Sequence, residues 1–289
     1  MRKLDWLGRR TGVTSLPALL AAGTLFAGCG GNDSKQGVER LAPKGTKLNR
    51  LSIAVTEPRP GRFRHVAPKS VRGGLVEIRF RNAAKAPRKA QLWRVGAGRS
   101  VTQALRRKGR RLPPWLAWSG GVGLTQPNRT GTAVQRLSPG SYYVTGLGNE
   151  RRGVASLRVT GRGASAPVPG ASGRVTAVDY NFQFSGLKAG PAAIEFRNTG
   201  REPHHAFFAP MRDGRTLAEV RNFFAGKLTG PPPVDPEATR ETVVLEGRDR
   251  QVTRLNLQTG RYAVLCFVRD RAGGPQHTEK GMVSEVKVP

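Results

Sequence analysis

Apolar and polar residues alternate along many short runs of this 289-residue chain. Leu75-Val76-Glu77-Ile78-Arg79-Phe80 and Ala193-Ile194-Glu195-Phe196 are two such runs. Tyr142-Tyr143-Val144, Val154 to Val159 and Tyr262-Ala263-Val264-Leu265 follow the same habit. A period of two sends successive side chains to opposite faces, so each run predicts a half-buried strand. Turn residues separate the runs throughout, with 37 Gly and 21 Pro in the chain. Short strands with frequent turns point to an all-β fold of packed sheets, and the length suits two β-sandwiches.

An internal repeat supports that number. Ile78-Arg79-Phe80-Arg81-Asn82 matches Ile194-Glu195-Phe196-Arg197-Asn198, and each continues through a polar loop to a proline, Pro87 or Pro203. Gly98-Arg99-Ser100-Val101-Thr102-Gln103 matches Gly214-Arg215-Thr216-Leu217-Ala218-Glu219 at the same offset. Both contain a Ser or Thr followed three residues later by Gln or Glu, which predicts one short capped helix in each copy. Pro139-Gly140-Ser141-Tyr142 pairs with Thr259-Gly260-Arg261-Tyr262, and Gly153-Val154-Ala155-Ser156 with Gly281-Met282-Val283-Ser284. A tandem duplication accounts for these matches together. The expected organisation is a first copy over residues 44–162, an Ala/Gly/Pro-rich linker over 163–173 and a second copy over 174–289.

The amino terminus has another character. Arg2, Lys3, Arg9 and Arg10 precede a weakly polar run from Leu16 to Phe26, and Phe26-Ala27-Gly28-Cys29 closes it. This order resembles a bacterial lipoprotein signal. The resemblance implies a signal peptide over 1–28, lipid on Cys29, a flexible tether over 29–43 and a folded part outside the cytoplasm, anchored to the cell membrane. An acylated Cys29 cannot pair with Cys266, so no intramolecular disulfide is expected.

The chemistry gathers in the second copy. The chain has four His, three Met and two Cys, and the last third holds Pro203-His204-His205, then Cys266, His277 and Met282. Two imidazoles, a thiolate and a thioether make a ligand set suited to copper; zinc on the same His2Cys set would not call for the Met. Aligned on the repeat, His204 and His205 fall on Arg88 and Lys89, Cys266 on Gly146 and Met282 on Val154. The loop bearing His277 has no counterpart. The first copy keeps the β framework and loses every candidate ligand at once. His65, alone in the first copy, reads as a surface residue.

Asn198-Thr199-Gly200-Arg201-Glu202-Pro203-His204, Gly260 to Cys266, and His277-Thr278-Glu279-Lys280-Gly281-Met282 together resemble the pattern of the cupredoxins, plastocyanin-like type 1 copper proteins. The resemblance covers about 174–289 and, more faintly, the first copy. It implies tandem Greek-key β-sandwiches and one copper held by His204, Cys266, His277 and Met282. It also selects His204 over His205. On a strand His204 and Ala206 share one face and His205 and Phe207 the other, so His205 is expected to be a surface residue or a solvent-facing partner near the site edge. Ten residues separate Cys266 from His277, a wider gap than small cupredoxins use. The turn-rich segment from Asp270 to Pro275 is expected to fold back and return His277 towards Cys266.

Charge is uneven. Residues 44–162 carry 26 Lys and Arg against 3 acidic residues, and 174–289 carry 17 against 13. Arg106 to Arg111 is the densest run. In an exported protein the expected counterparts are anionic lipid head groups, cell-envelope polymers or an acidic redox partner, and not nucleic acid. The sequence contains no Gly-x-Ser-x-Gly, phosphate-cradling loop or His-Glu-x-x-His, and four His cannot furnish the clusters of a multicopper oxidase. The expectation is therefore an electron carrier or copper-binding protein rather than a catalyst. Copper storage or delivery, and a metal-free scaffold or adhesion module docking through the basic first copy, are the alternatives.

Overall fold

The computed structural model describes residues 41–106, 111–146, 153–161, 163 and 166–289. The signal segment, Cys29, the tether up to residue 40 and residues 107–110 of the basic run lie outside them. No helix among the described residues is long and apolar enough to cross a membrane.

The first half contains β1 (Asn49–Arg59), β2 (Arg62–Val66), β3 (Ser70–Arg72), β4 (Gly74–Asn82), β5 (Arg88–Val95), α1 (Val101–Arg106), β6 (Leu116–Thr125), β7 (Thr130–Leu137), β8 (Gly140–Thr145) and β9 (Ala155–Thr160). The second contains β10 (Gly173–Val178), β11 (Asn181–Ser185), β12 (Gly190–Asn198), β13 (Phe207–Pro210), α2 (Leu217–Ala225), β14 (Arg240–Glu241), β15 (Arg250–Leu257), β16 (Gly260–Leu265), β17 (Arg269–Asp270), β18 (Gly273–Gln276) and β19 (Val283–Val288). The predicted strands are present, and both helices open on the expected capping boxes. Ser100 and Gln103 exchange bonds of 2.8 and 3.1 Å, and Thr216 and Glu219 make the same reciprocal pair. These bonds satisfy amides that a helix start leaves open.

Each half is a sandwich with the same strand order. One sheet runs β2-β1-β4-β7 in the first half and β11-β10-β12-β15 in the second. The facing sheet runs β6-β5-β8-β9, with β3 at its edge, and β14-β13-β16-β19. Alternate residues of both sheets fill the space between them. Ile53, Ile78, Phe80, Leu92 and Val144 do so in one half, and Val175, Phe196, Phe208, Leu257 and Val264 in the other. The outer face of each facing sheet packs on its capped helix, through Trp93, Ala104 and Tyr143 in one half and Phe207, Val220 and Leu265 in the other.

The halves are not beads on a linker. β7 pairs antiparallel with β15, so two four-stranded sheets merge into one of eight. Ala133 faces Ile78 and Thr253 faces Ile194, which makes Ala133 and Thr253 repeat equivalents, and they face each other across the join. The duplicated strands thus meet around a local pseudo-twofold axis, the way a symmetric dimer pairs its edges. Val134 and Val252 on the outer face of the join are covered by Leu41 and Leu48 and by Ala166 and Val168 of the connecting segment. Leu41 and Ala42, expected in the tether, are both buried, Leu41 in this cluster, and Leu41–Pro289 forms one compact unit.

Candidate metal centre

The site is assembled at one end of the second sandwich from three chain segments. The first begins at the end of β12. Asn198 folds the following turn over itself: its Oδ1 accepts the Gly200 amide at 3.0 Å, and its Nδ2 donates to the carbonyls of Glu202 and Leu245. Asn82 makes the corresponding bonds to Ala84, Ala86 and Thr125 in the first half, so the turn belongs to the duplicated framework. Beyond it, His204 exchanges backbone hydrogen bonds of 3.0 and 2.9 Å with Leu245. His204, Ala206 and Phe208 then point into the inter-sheet core, and Phe207 and Ala209 towards α2.

The second segment is the end of β16, where Cys266 is fully buried. The third closes the ten-residue gap. β17 and β18 form a hairpin, after which the His277 amide donates to the Val268 carbonyl at 2.8 Å and the Thr278 amide to the Cys266 carbonyl at 3.0 Å. A long gap in sequence is therefore a short step in space, and His277 returns beside Cys266 as expected.

His204, Cys266 and His277, all fully buried, form the single such cluster of candidate metal ligands among the described residues. Cys266 Sγ lies 3.7 Å from His204 Nδ1 and 3.4 Å from His277 Nδ1, and the two Nδ1 atoms are 3.0 Å apart. A point equidistant from the three atoms lies about 2 Å from each, the length of a metal–imidazole bond. Met282 is fully buried in the same apolar cluster as Cys266, and its amide donates to the His277 carbonyl at 2.8 Å.

Two carboxylates, neither singled out by the sequence, orient the rings. His204 Nε2 is 2.7 Å from Asp179 Oδ1, and His277 Nε2 is 2.9 Å from Asp270 Oδ1. Burial lowers the pKa of His204, and burial followed by the neighbouring His204 lowers that of His277 to about 4. Both rings are then neutral near pH 7. Their one proton goes to the carboxylate, and each Nδ1 lone pair is turned inward. Partial burial works against charge on Asp179, yet the Arg201 amide, the His204 ring and the Glu202 amide hold its carboxyl below the usual range. Asp270 is likewise lowered against burial, by Lys280, Tyr180 and His277. The Tyr180 ring stands steeply to both imidazoles, 6.2 and 5.0 Å between centroids, and its hydroxyl donates to Asp270 and accepts from Lys280. Burial pushes the Cys266 thiol up to about 12, although the amides of His205 and Val268 favour the thiolate.

Two inward lone pairs 3.0 Å apart cannot hydrogen-bond each other, and one thiol proton serves only one of them. A cation between the three atoms resolves the conflict, and the donor set is a soft thiolate with two imidazoles.

Two sequence readings need correction. His205 is neither at the surface nor at a solvent-facing edge. It is buried, its Nδ1 donates to Glu241 at 2.8 Å, and its Nε2 accepts the Phe267 amide at 3.0 Å. His65 is also buried, with its ring between the carbonyls of Gly153 and Lys89. His65 lies on the inward face of β2, whereas His205 precedes β13 and faces away from the inter-sheet core, where Glu241 and Phe267 cover it in place of solvent.

No family model matches the chain, and no curated protein does. Solved structures similar to it include auracyanin B, at 24% identity over 40% of this chain and 86% of that one, TM-score 0.26. Reduced auracyanin from Roseiflexus castenholzii is similar at 17% over 40% and 94%, TM-score 0.26, and copper nitrite reductase from Nitrosomonas europaea at 12% over 84% and 94%, TM-score 0.24. At scores of this size none of these likenesses assigns a function. The half that carries the cluster is a β-sandwich of two four-stranded sheets, and the donor set of its buried His204, Cys266 and His277 is compatible with a single copper ion.

Proposed function

We propose that this protein binds one copper ion, which Nδ1 of His204, Nδ1 of His277 and the thiolate of Cys266 would hold with the Met282 thioether as a weaker ligand, and that it carries electrons. When bound there, copper supplies one-electron exchange between two oxidation states. The observation that carries the reading is the pair of Nδ1 atoms 3.0 Å apart with both Nε2 atoms committed to carboxylates. Asp179 and Asp270 fix the tautomer of each ring, and the fully buried cluster keeps water from the donors. Rings and thiol held this way need little rearrangement when charge changes, which suits passage of electrons better than turnover of a substrate. Exchangeable copper for storage or delivery fits less well with ligands so enclosed. A metal-free scaffold leaves two buried acceptors face to face.

The protein is exported and anchored by lipid on Cys29, and its basic first half meets an anionic partner, whether lipid head groups, cell-envelope polymers or the acidic face of a redox protein. The lipoprotein-like amino terminus and the 26 Lys and Arg against 3 acidic residues support this part. Purified protein given Cu(II) is expected to retain one copper per chain and to show intense visible absorption that Cys266→Ser abolishes. Absence of both colour and retained copper sinks the reading. Labelled fatty acid incorporated by the wild type and not by Cys29→Ala tests the anchor.

A further inference from the structure

The first half has no ligand set, yet it reaches all three segments that carry the second half's cluster. The His204 segment leans on residues 242–245, which bond to His204 and Ala206 on one side. On the other side the same residues meet the first half. Gln91 accepts the Val244 amide at 2.8 Å and donates to its carbonyl at 3.1 Å, and Ser119 bridges to Leu245. The Cys266 segment is reached through a relay. Lys89 Nζ lies 2.6 Å from Glu241, Glu241 holds His205, and His205 accepts the amide of Phe267, the residue after Cys266.

The His277 segment is held at the tip of its hairpin. Arg271 donates through Nη2 to the carbonyls of Pro113 at 3.0 Å and Leu116 at 2.8 Å, and its own carbonyl accepts the Leu112 amide at 2.8 Å. Its Nη1 pairs with Glu246, which also accepts the Trp118 amide at 3.0 Å, and its amide donates to Glu202 at 2.7 Å. Asp270, the neighbour of Arg271, is the residue that orients His277. Lys89 stands at the repeat position of His205, so a position next to a ligand in one copy serves as a brace in the other.

We propose that the first half is the positioning frame of the ligand cluster, and that Arg271 is its principal positioning residue. A planar guanidinium that bonds two carbonyls of one half and a carboxylate of the other fixes the hairpin's height, and with it the placement of Asp270 and His277. Loss of the fork frees the hairpin without removing a ligand. The proposal rests on the copper reading only for its metal readouts.

Amide hydrogen exchange of the metal-free full chain, compared between wild type, Arg271→Gln and Arg271→Lys, gives the test that needs no metal. In Arg271→Gln the amides of His277 and Thr278 are expected to exchange at least about tenfold faster, while those of β4 and β15 keep their wild-type rates. Arg271→Lys retains the charge beside Glu246 but cannot fork onto Pro113 and Leu116, so its rates should fall between. Copper, where loaded, should leave Arg271→Gln for a chelator about 10–100-fold faster and with a shifted visible band. Exchange and release within about twofold of wild type in both variants overturns the proposal, as does acceleration spread equally through β4 and β15. If Arg271→Gln does not fold, the Lys variant decides. If the wild type takes up no copper, the copper reading falls and the exchange rates still judge the frame.

Discussion

Nδ1 of His204 and Nδ1 of His277 lie 3.0 Å apart, although each ring gives its proton to a carboxylate on the far side. With both imidazoles neutral near pH 7 and the Cys266 thiol protonated up to about 12, the thiol holds the one proton that a metal must displace. Copper uptake at pH 7 should therefore release close to one proton per ion. Titration calorimetry in buffers of different ionisation enthalpy measures it. Release of two or more would mean that the rings are charged before binding.

Acid should act on the metal-free protein in two windows. The folded-state pKa of His277 lies below its ordinary value of 6.5, at about 4. The unfolded chain thus takes up this proton first, and the stability contributed above pH 6.5 is lost as pH falls towards 4. For Glu241, burial alone would raise the pKa from 4.5, but Lys89 and His205 overcome it and hold the carboxyl at about 2. Its contribution is present above pH 4.5 and is lost as pH falls towards 2. Urea unfolding across pH should show a shallower upper slope in His277→Gln, where the lowered His204 keeps part of it, and a shallower lower slope in Glu241→Gln, where Asp179 and Asp270 keep part of it; unchanged slopes would refute both assignments.

Removing one partner of the ion pair between the halves should cost more than removing both. Lys89→Met leaves Glu241 buried beside His205 alone and is expected to destabilise by about 3–5 kcal/mol. Lys89→Met with Glu241→Gln should recover at least half of that. A double variant no better than Lys89→Met would show that the pair's charge is not what matters.

Gly200 is required by closeness of approach. A Cβ there would fall 2.2 Å from Asp179 Oδ1, the atom that holds His204. Gly200→Ala should cost about 1–3 kcal/mol and weaken copper binding about tenfold or more through the displaced carboxylate. Gly170→Ala, with open space around it, serves as the control. Equal behaviour of the two variants in a chelator competition would refute the role.

Much of the scaffold was legible because it rests on local rules. Period-two alternation marked β4, β9 and β12, and short apolar runs marked β8 and β16, which are buried on both faces rather than half-buried. Ser100 with Gln103 and Thr216 with Glu219 marked the helix starts, and Asn82 and Asn198 head the same turn in both copies. The missing partners of the ligands were not legible. Asp179 sits in the two-residue turn between β10 and β11 and Asp270 at the end of β17, and nothing in the sequence around either distinguishes a carboxylate that orients an imidazole from one that meets water. His205 beside His204 carried a signal of alternation only, which gave its direction and not what it would meet.

By itself the sequence determined the strand-forming runs, the duplication, the helix caps and the identity of the soft ligands, since each follows from residue type and spacing within a few positions. The tertiary structure alone decided which nitrogen of each imidazole faces the thiol, that the ten-residue gap is a hairpin, and that the two copies fuse through Ala133 and Thr253 into one sheet. Those features depend on carbonyls, carboxylates and strand edges that meet in space, some from nearby positions, as Asp270 meets His277, and others from opposite halves, as Ala133 meets Thr253, so only the packing of the whole chain fixes their distances.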